Sequence, residues 1–206
     1  MSDATMAQAV AAADRALTIE SEAIAATRTT VRDTLPEALR VLSQRRGRVV
    51  VSGLGKSGHV GAKIAATLAS TGTPAFFVHA AEALHGDSGM VTPEDVAILI
   101  SHSGETAEVC HFARMLSARG VALIAMTGRP TSTLARLARV HLSIEVAREA
   151  DPLGLAPTAS TASTLALGDA LAAGLMTLSG FTADEFAEFH PGGSLGRQLL
   201  GDGGVA

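Results

Sequence analysis

Five short β-branched runs, each separated from the next by a stretch of helical character, constrain this chain more than any other feature. RVVV (48–51), AFFV (75–78), VAILI (96–100), VALIAM (121–126) and VHLSI (140–144) are near-continuous apolar segments. A strand with one wet face alternates apolar and polar residues, whereas a continuous run suits a strand covered on both faces. Helix candidates lie near 57–71, 80–85, 105–119 and 131–138. Strands alternating with helices imply a parallel sheet with right-handed crossovers. The expected fold is therefore α/β: a three-layer α/β/α sandwich around a five-stranded parallel sheet.

Helical flanks complete the chain. From Asp3 to about Leu42 the sequence is Ala-rich, with Val10, Leu17, Ile24, Val31 and Leu35 at helical spacing. Pro36 marks a break or the first turn of a second helix. After Glu145 comes a loop rich in breakers, READPLGLAPT (148–158). A long helix to about Leu178, a short helix over FTADEFAEF and a Gly-rich turn with a last helix over HPGGSLGRQLL follow. One domain over 1–206 is expected, divided into N-terminal helices (1–45), a parallel core (46–146) and a loop with C-terminal helices (147–206).

Composition excludes several classes of function. The 206 residues are 47% hydrophobic and 17% charged, which rules out intrinsic disorder. Aromatics are 3%, with no Trp or Tyr, too few for a nucleic-acid stacking platform. A net charge of −4 argues against a general binder of phosphate backbones. The single cysteine, Cys110, excludes an internal disulfide and a multi-cysteine zinc site, and seven histidines without close spacing give no metal signature. The acidic start MSDATMAQAV lacks the features of a leader, so the default location is cytoplasmic. The apolar stretch 160–178 carries Asp169 in its middle and Ser/Thr at its start, which suits a buried or oligomer-facing helix better than a membrane span.

Two strand-to-helix turns carry chemistry. In VVVSGLGKSG (49–58), Gly53, Gly55 and Gly58 formally match a dinucleotide fingerprint. That motif needs an acidic residue at the end of the second strand, where this chain has Phe77, Val78 and His79. A Walker loop fails as well, because Val50 occupies the first glycine position. What remains is a Gly-rich turn that offers backbone N–H groups and Lys56 to an anion, or a tight turn with a solvated lysine. In ILISHSGET (98–106), Ser101, Ser103 and Thr106 surround Gly104 at the next interior strand. Three hydroxyls and helix N–H groups can hold a phosphate, although Ser/Thr followed by Glu is also a capping box. Ligands of open α/β sheets bind beyond the carboxyl ends of the strands, where both turns fall.

Titratable groups cluster less clearly. Glu105 and Glu108 fall near the first turn of the following helix, where acids also complement the dipole. Glu149 sits in the breaker-rich loop, His190 in HPGG and His85 in ALHGD. Each alone fits a structural or solvated role better than catalysis.

Taken together, GLGKSG, TLASTGTPAFFVHAAEALHGDSGMV, SHSGET, TGRP, DPLGLAPTAS and HPGGSLGRQLL resemble the sugar isomerase (SIS) domain of arabinose-5-phosphate isomerases, over about residues 10–200. The resemblance implies a flavodoxin-like fold that holds no nucleotide. It implies interconversion of D-ribulose 5-phosphate and D-arabinose 5-phosphate through a cis-enediol, supplying 3-deoxy-D-manno-octulosonate (Kdo) for lipopolysaccharide or capsule. By motif, the family's catalytic lysine, two glutamates and histidine fall on Lys56, Glu108, Glu149 and His190, and a further active-site histidine on His85. Phosphate-binding groups fall on Gly55, Ser57, Ser101, Ser103, Gly104 and Thr106. No cofactor or metal is implied as required, inhibition by adventitious zinc through His85 or His190 stays open, and the implied assembly is a homotetramer with sites at subunit boundaries. Many members continue into a pair of regulatory cystathionine-β-synthase-type domains. The sequence ends at Ala206, so that pair is expected to be missing. Asp151 stands where the family pattern often has Cys, and a second carboxylate there is expected to raise the Glu149 pKa if both face the site. Alternatives are an isomerase of the same domain family acting on 3-hexulose 6-phosphate or sedoheptulose 7-phosphate, and a sugar-phosphate sensor without catalysis.

Overall fold

The computed structural model describes residues 2–191. Element order follows the expected alternation: α1 (Asp3–Thr30), α2 (Leu35–Ser43), β1 (Val49–Gly53), α3 (Gly55–Ser70), β2 (Ala75–His79), α4 (Ala80–Ala83), β3 (Val96–Ile100), α5 (Ala107–Ala118), β4 (Ala122–Thr127), α6 (Thr133–Leu137), β5 (Val140–Ser143), α7 (Ala159–Ser179) and α8 (Ala183–Phe189). The strands form one parallel sheet in the order β2-β1-β3-β4-β5. The chain switches direction of travel at β1, so the carboxyl ends of β1 and β3 flank the crevice where open sheets bind ligands.

Strands β1 to β4 feed two cores, whereas β5 feeds only the first: Val140 and Leu142 are buried there and His141 and Ser143 are part-exposed, so the double coverage expected for the run 140–144 does not hold. Val49, Val51, Ile98, Ile100, Ile124, Met126 and Leu142 pack on Leu42 of α2, Ile64 and Leu68 of α3, and Leu167, Leu171 and Leu175 of α7. Val50, Val78, Ala97, Leu99, Leu123 and Ala125 face the other way, against α4, α5 and Leu134 of α6, with Phe112 fully buried. This double coverage explains the continuous apolar runs of β1 to β4. Helix α7 has the length and mean hydropathy of a membrane span, yet part of it lies in the first core. It presses close to α3: a Cβ at Gly168 would stand 2.4 Å from Ile64 Cγ1.

The local expectations fare differently. The break after α1 falls at 31–34, and Pro36 lies in the first turn of α2, where its missing N–H costs nothing. The helix expected near 80–85 is α4 followed by a 3₁₀ turn, Asp87–Met90, held by Arg119 at the carbonyls of Ser88 and Val91. Helix α5 starts at Ala107, because Glu105 turns its side chain to α6 instead. The last helix and most of the HPGG turn lie outside the described residues.

Candidate active site

At the carboxyl end of β1 the chain turns directly into α3. Gly55 adopts φ 56°, and the N-cap Leu54 gives the helix no side-chain cap. No acid lies in the first turn of α3, where one would complement the dipole. Lys56 stands there instead, exposed, so a positive side chain adds to the positive helix end. That charge pattern opposes helix stability and favours an anion.

The neighbouring turn after β3 is built from hydroxyls. Ser101 is 3% exposed, and its Oγ accepts from Gly104 N at 3.1 Å and lies 2.8 Å from Thr106 Oγ1. Ser103 Oγ accepts from Glu105 N at 3.2 Å. Thr106 is the N-cap of α5 but its side chain makes no cap bond, so the capping box open to the sequence does not form. Gly104 adopts φ 67°, and a Cβ on it would lie 2.1 Å from Ser132 Oγ. From α6, Leu134 N donates to the Gly104 carbonyl at 3.0 Å and Thr133 N donates to Glu105 Oε1 at 2.8 Å. The amide and hydroxyl of Thr133 hold the Glu105 carboxyl below the usual carboxylate range. Glu105 thus braces the turn.

A cleft of about 240 Å³ opens beside these turns. Lys56, Ser57, His102, Ser160, Thr161 and Thr164 give it polar walls, and Leu54, Val60, Ile144 and Pro157 apolar ones. Glu149 meets the amino-terminal end of α7. Its Oε2 accepts from Thr158 N at 2.8 Å and Ser160 N at 3.2 Å, and its Oε1 from the Ser160 hydroxyl. Burial pushes this carboxyl up, but the donors on Ser160 and Thr158 outweigh burial and hold it below the ordinary range. The expected rise is therefore not found in this state. Asp151 does not supply one either: its carboxylate accepts from the amides of Leu153, Leu155 and Ala156 at 2.8–2.9 Å and ties its own loop. Glu149 also lines a second cavity of about 380 Å³, with Arg15 of α1 and Arg148.

The structure gathers the anticipated residues unevenly. Lys56 and Ser57 share the cleft, Gly55 begins the helix beneath it, and Ser101, Ser103, Gly104 and Thr106 form the adjoining turn. Glu149 reaches the cleft through Ser160, and Glu108 is half-buried in the first turn of α5. His85 is exposed on the turn after α4. His190 is remote. Helix α7 runs about 30 Å from Glu149 to the opposite edge of the sheet, at about 1.5 Å per residue. There Phe181 packs on Gly72, Phe189 stacks on Phe181 at 5.9 Å, and the His190 ring stacks on Phe186 at 4.0 Å. His190 Nδ1 lies 2.8 Å from the Phe186 carbonyl. Three contributors went unread in the sequence: Thr158 and Ser160, which position Glu149, and His102. A Thr/Ser-rich helix start has an ordinary reading as caps, and a lone histidine has no spacing signature. Among the described residues, no group of three or more His, Cys, Asp or Glu side chains could hold a metal ion.

This architecture recurs in known proteins. Residues 41–174 match the SIS domain family. Arabinose 5-phosphate isomerase KdsD of Escherichia coli (strain K12) is 55% identical over 184 residues, which are 89% of this chain and 56% of that protein. KdsD of Pseudomonas aeruginosa is 54% identical over 188 residues, 91% of this chain and 58% of that protein. The chain thus spans somewhat more than half the length of these curated relatives. The structure of E. coli CFT073 c3406 in complex with arabinose 5-phosphate superposes with a TM-score of 0.86 at 41% identity, covering 93% of this chain and 100% of that one. With its family match over all five strands and the close agreement with c3406, the chain belongs to the SIS domain family.

Proposed function

We propose that this protein is an aldose–ketose isomerase interconverting D-arabinose 5-phosphate and D-ribulose 5-phosphate. The observation that carries the reading is the identity of 54–55% to arabinose 5-phosphate isomerases over about nine-tenths of the chain. The c3406 structure with arabinose 5-phosphate bound, matched over its whole length, supports the same substrate.

The residues suit that chemistry. The phosphate sits at the turns carrying Gly55, Ser57, Ser101, Ser103, Gly104 and Thr106, anchoring a part of the substrate that does not react. Glu149 takes the C2 proton of the aldose, the carbonyl oxygen gains a proton, and a cis-enediol forms. Return of a proton to C1, with loss of the O2 proton, gives the ketose. The exchange is redox-neutral and calls for no redox cofactor. Glu149 begins ionised, as a base must, and substrate that expels water from the cleft raises its basicity. Glu108 is the second candidate base. Lys56 stabilises enediolate or phosphate charge. His190 moves protons on the oxygens or opens the sugar ring, with His85 as a further contact.

His190 lies too far from Lys56 to serve the same site in one copy, which supports a site shared between copies of a homotetramer. The chain acts as one SIS unit in the cytoplasm and supplies Kdo synthesis. Conversion of D-arabinose 5-phosphate by the purified protein, set beside 3-hexulose 6-phosphate and sedoheptulose 7-phosphate, tests the reading. Binding without conversion of any of them supports a sensor instead.

A further inference from the structure

His102 lines the cleft yet has no part in the mechanism above. It lies between Ser101 and Ser103 on the hydroxyl-rich turn, and its side chain shares the cleft with Lys56, Ser57 and Ser160. Gly128 holds it in place. Gly128 N donates to the His102 carbonyl at 2.9 Å, and the ring lies so close that a Cβ at Gly128 would stand 2.9 Å from Cε1 and 3.2 Å from Nδ1. Histidine ring hydrogen bonds among the described residues belong to His141 and His190, and the His102 nitrogens have none. A backbone-pinned imidazole with free nitrogens offers a donor and an acceptor to a ligand.

The position selects what it meets. On one side are the hydroxyls assigned to phosphate. On the other is Ser160, which holds the proposed carbon base. A sugar phosphate spanning the two carries its carbon chain and hydroxyl groups past His102. We propose that His102 is a substrate-binding residue that hydrogen-bonds a chain hydroxyl between the phosphate and the reacting carbons. It thereby favours a polyol phosphate over bare phosphate. This inference rests on the isomerase reading and adds to it the contact that recognises the polyol.

The test is calorimetric titration of the full chain with D-arabinitol 5-phosphate, which has no carbonyl to isomerise, and separately with inorganic phosphate. His102→Ala is expected to weaken polyol-phosphate binding about three- to tenfold, the size of one lost hydrogen bond. Phosphate affinity and the thermal midpoint stay unchanged. In turnover, KM for D-arabinose 5-phosphate rises by a similar factor while kcat holds. His102→Gln, which keeps an N–H donor, recovers part of the loss. Unchanged polyol-phosphate affinity in His102→Ala, or an equal loss for inorganic phosphate, would overturn the inference while wild-type turnover leaves the isomerase reading intact. Wild-type protein that binds neither the analogue nor the sugar phosphate would overturn both.

Discussion

The Ser160 hydroxyl donates to Glu149 Oε1, and the same serine lines the cleft that holds Lys56. The proposed base is therefore positioned by a residue of the candidate cleft's own wall. Ser160→Ala should lower kcat/KM by about tenfold, the equivalent of one lost hydrogen bond of about 1.4 kcal/mol. Losing a donor to the ionised form also raises the Glu149 pKa, so the acidic limb of the pH–rate profile should move to higher pH. A profile that falls uniformly, with its limb unmoved, would reduce Ser160 to a packing role.

Glu149→Gln should lose about 10²–10⁴ in kcat while the protein stays folded and still binds sugar phosphate. The same variant reads out stability. The Glu149 carboxyl lies below its ordinary value in the folded chain, because the Ser160 and Thr158 donors outweigh the effect of burial. The stabilisation is present above the unfolded carboxylate value of about 4.3 and is lost as pH falls through the lower folded value. The Tm advantage of wild type over Glu149→Gln should therefore be constant near neutrality and shrink in more acidic solution. Calorimetry across that range checks it.

Two glycines of positive φ separate strain from crowding. Gly104 and Gly55 have φ 67° and 56°, but only Gly104 meets a wall, with Ser132 Oγ 2.1 Å from the position of a Cβ. Gly55→Ala should cost about 1 kcal/mol from backbone conformation alone. Gly104→Ala adds overpacking of about 1–3 kcal/mol against Ser132. Thermal unfolding should show a Tm fall for Gly104→Ala at least twice that for Gly55→Ala.

Since His190 sits at the amino-terminal edge of the sheet and Lys56 at the carboxyl edge, a shared site requires two copies. Lys56→Ala and His190→Ala, each inactive alone, should regain part of the wild-type rate when unfolded together and reassembled. Their mixture stays inactive if every copy uses its own histidine.

Strand positions were legible because burial on both faces writes a continuous apolar run, as Val96–Ile100 shows at 0–4% exposure. The two strand-to-helix turns were legible because Gly55 and Gly104 each follow an apolar run and precede a helical stretch. Side-chain direction was not. Glu105 reads as a first-turn acid of α5, yet it caps α6, which lies 28 residues further on. Asp151 reads as a neighbour of Glu149, yet its carboxylate folds back onto the amides of its own loop. His190 follows the other motif residues in sequence order, and only the direction of α7 carries it away from them. The choices at Glu105 and His190 depend on contacts distant in the chain, and that at Asp151 on the fold of its own loop, none of which apolar periodicity encodes.

The most direct test of the central claim is proton NMR of the purified protein with D-arabinose 5-phosphate in D₂O. The account predicts that D-ribulose 5-phosphate appears with wild type and not with Glu149→Gln. Deuterium should enter the carbon positions to the extent that the abstracted proton exchanges with solvent. Folded wild-type protein that leaves the sugar phosphate unchanged, or a Glu149→Gln variant that converts it at the wild-type rate, would contradict it.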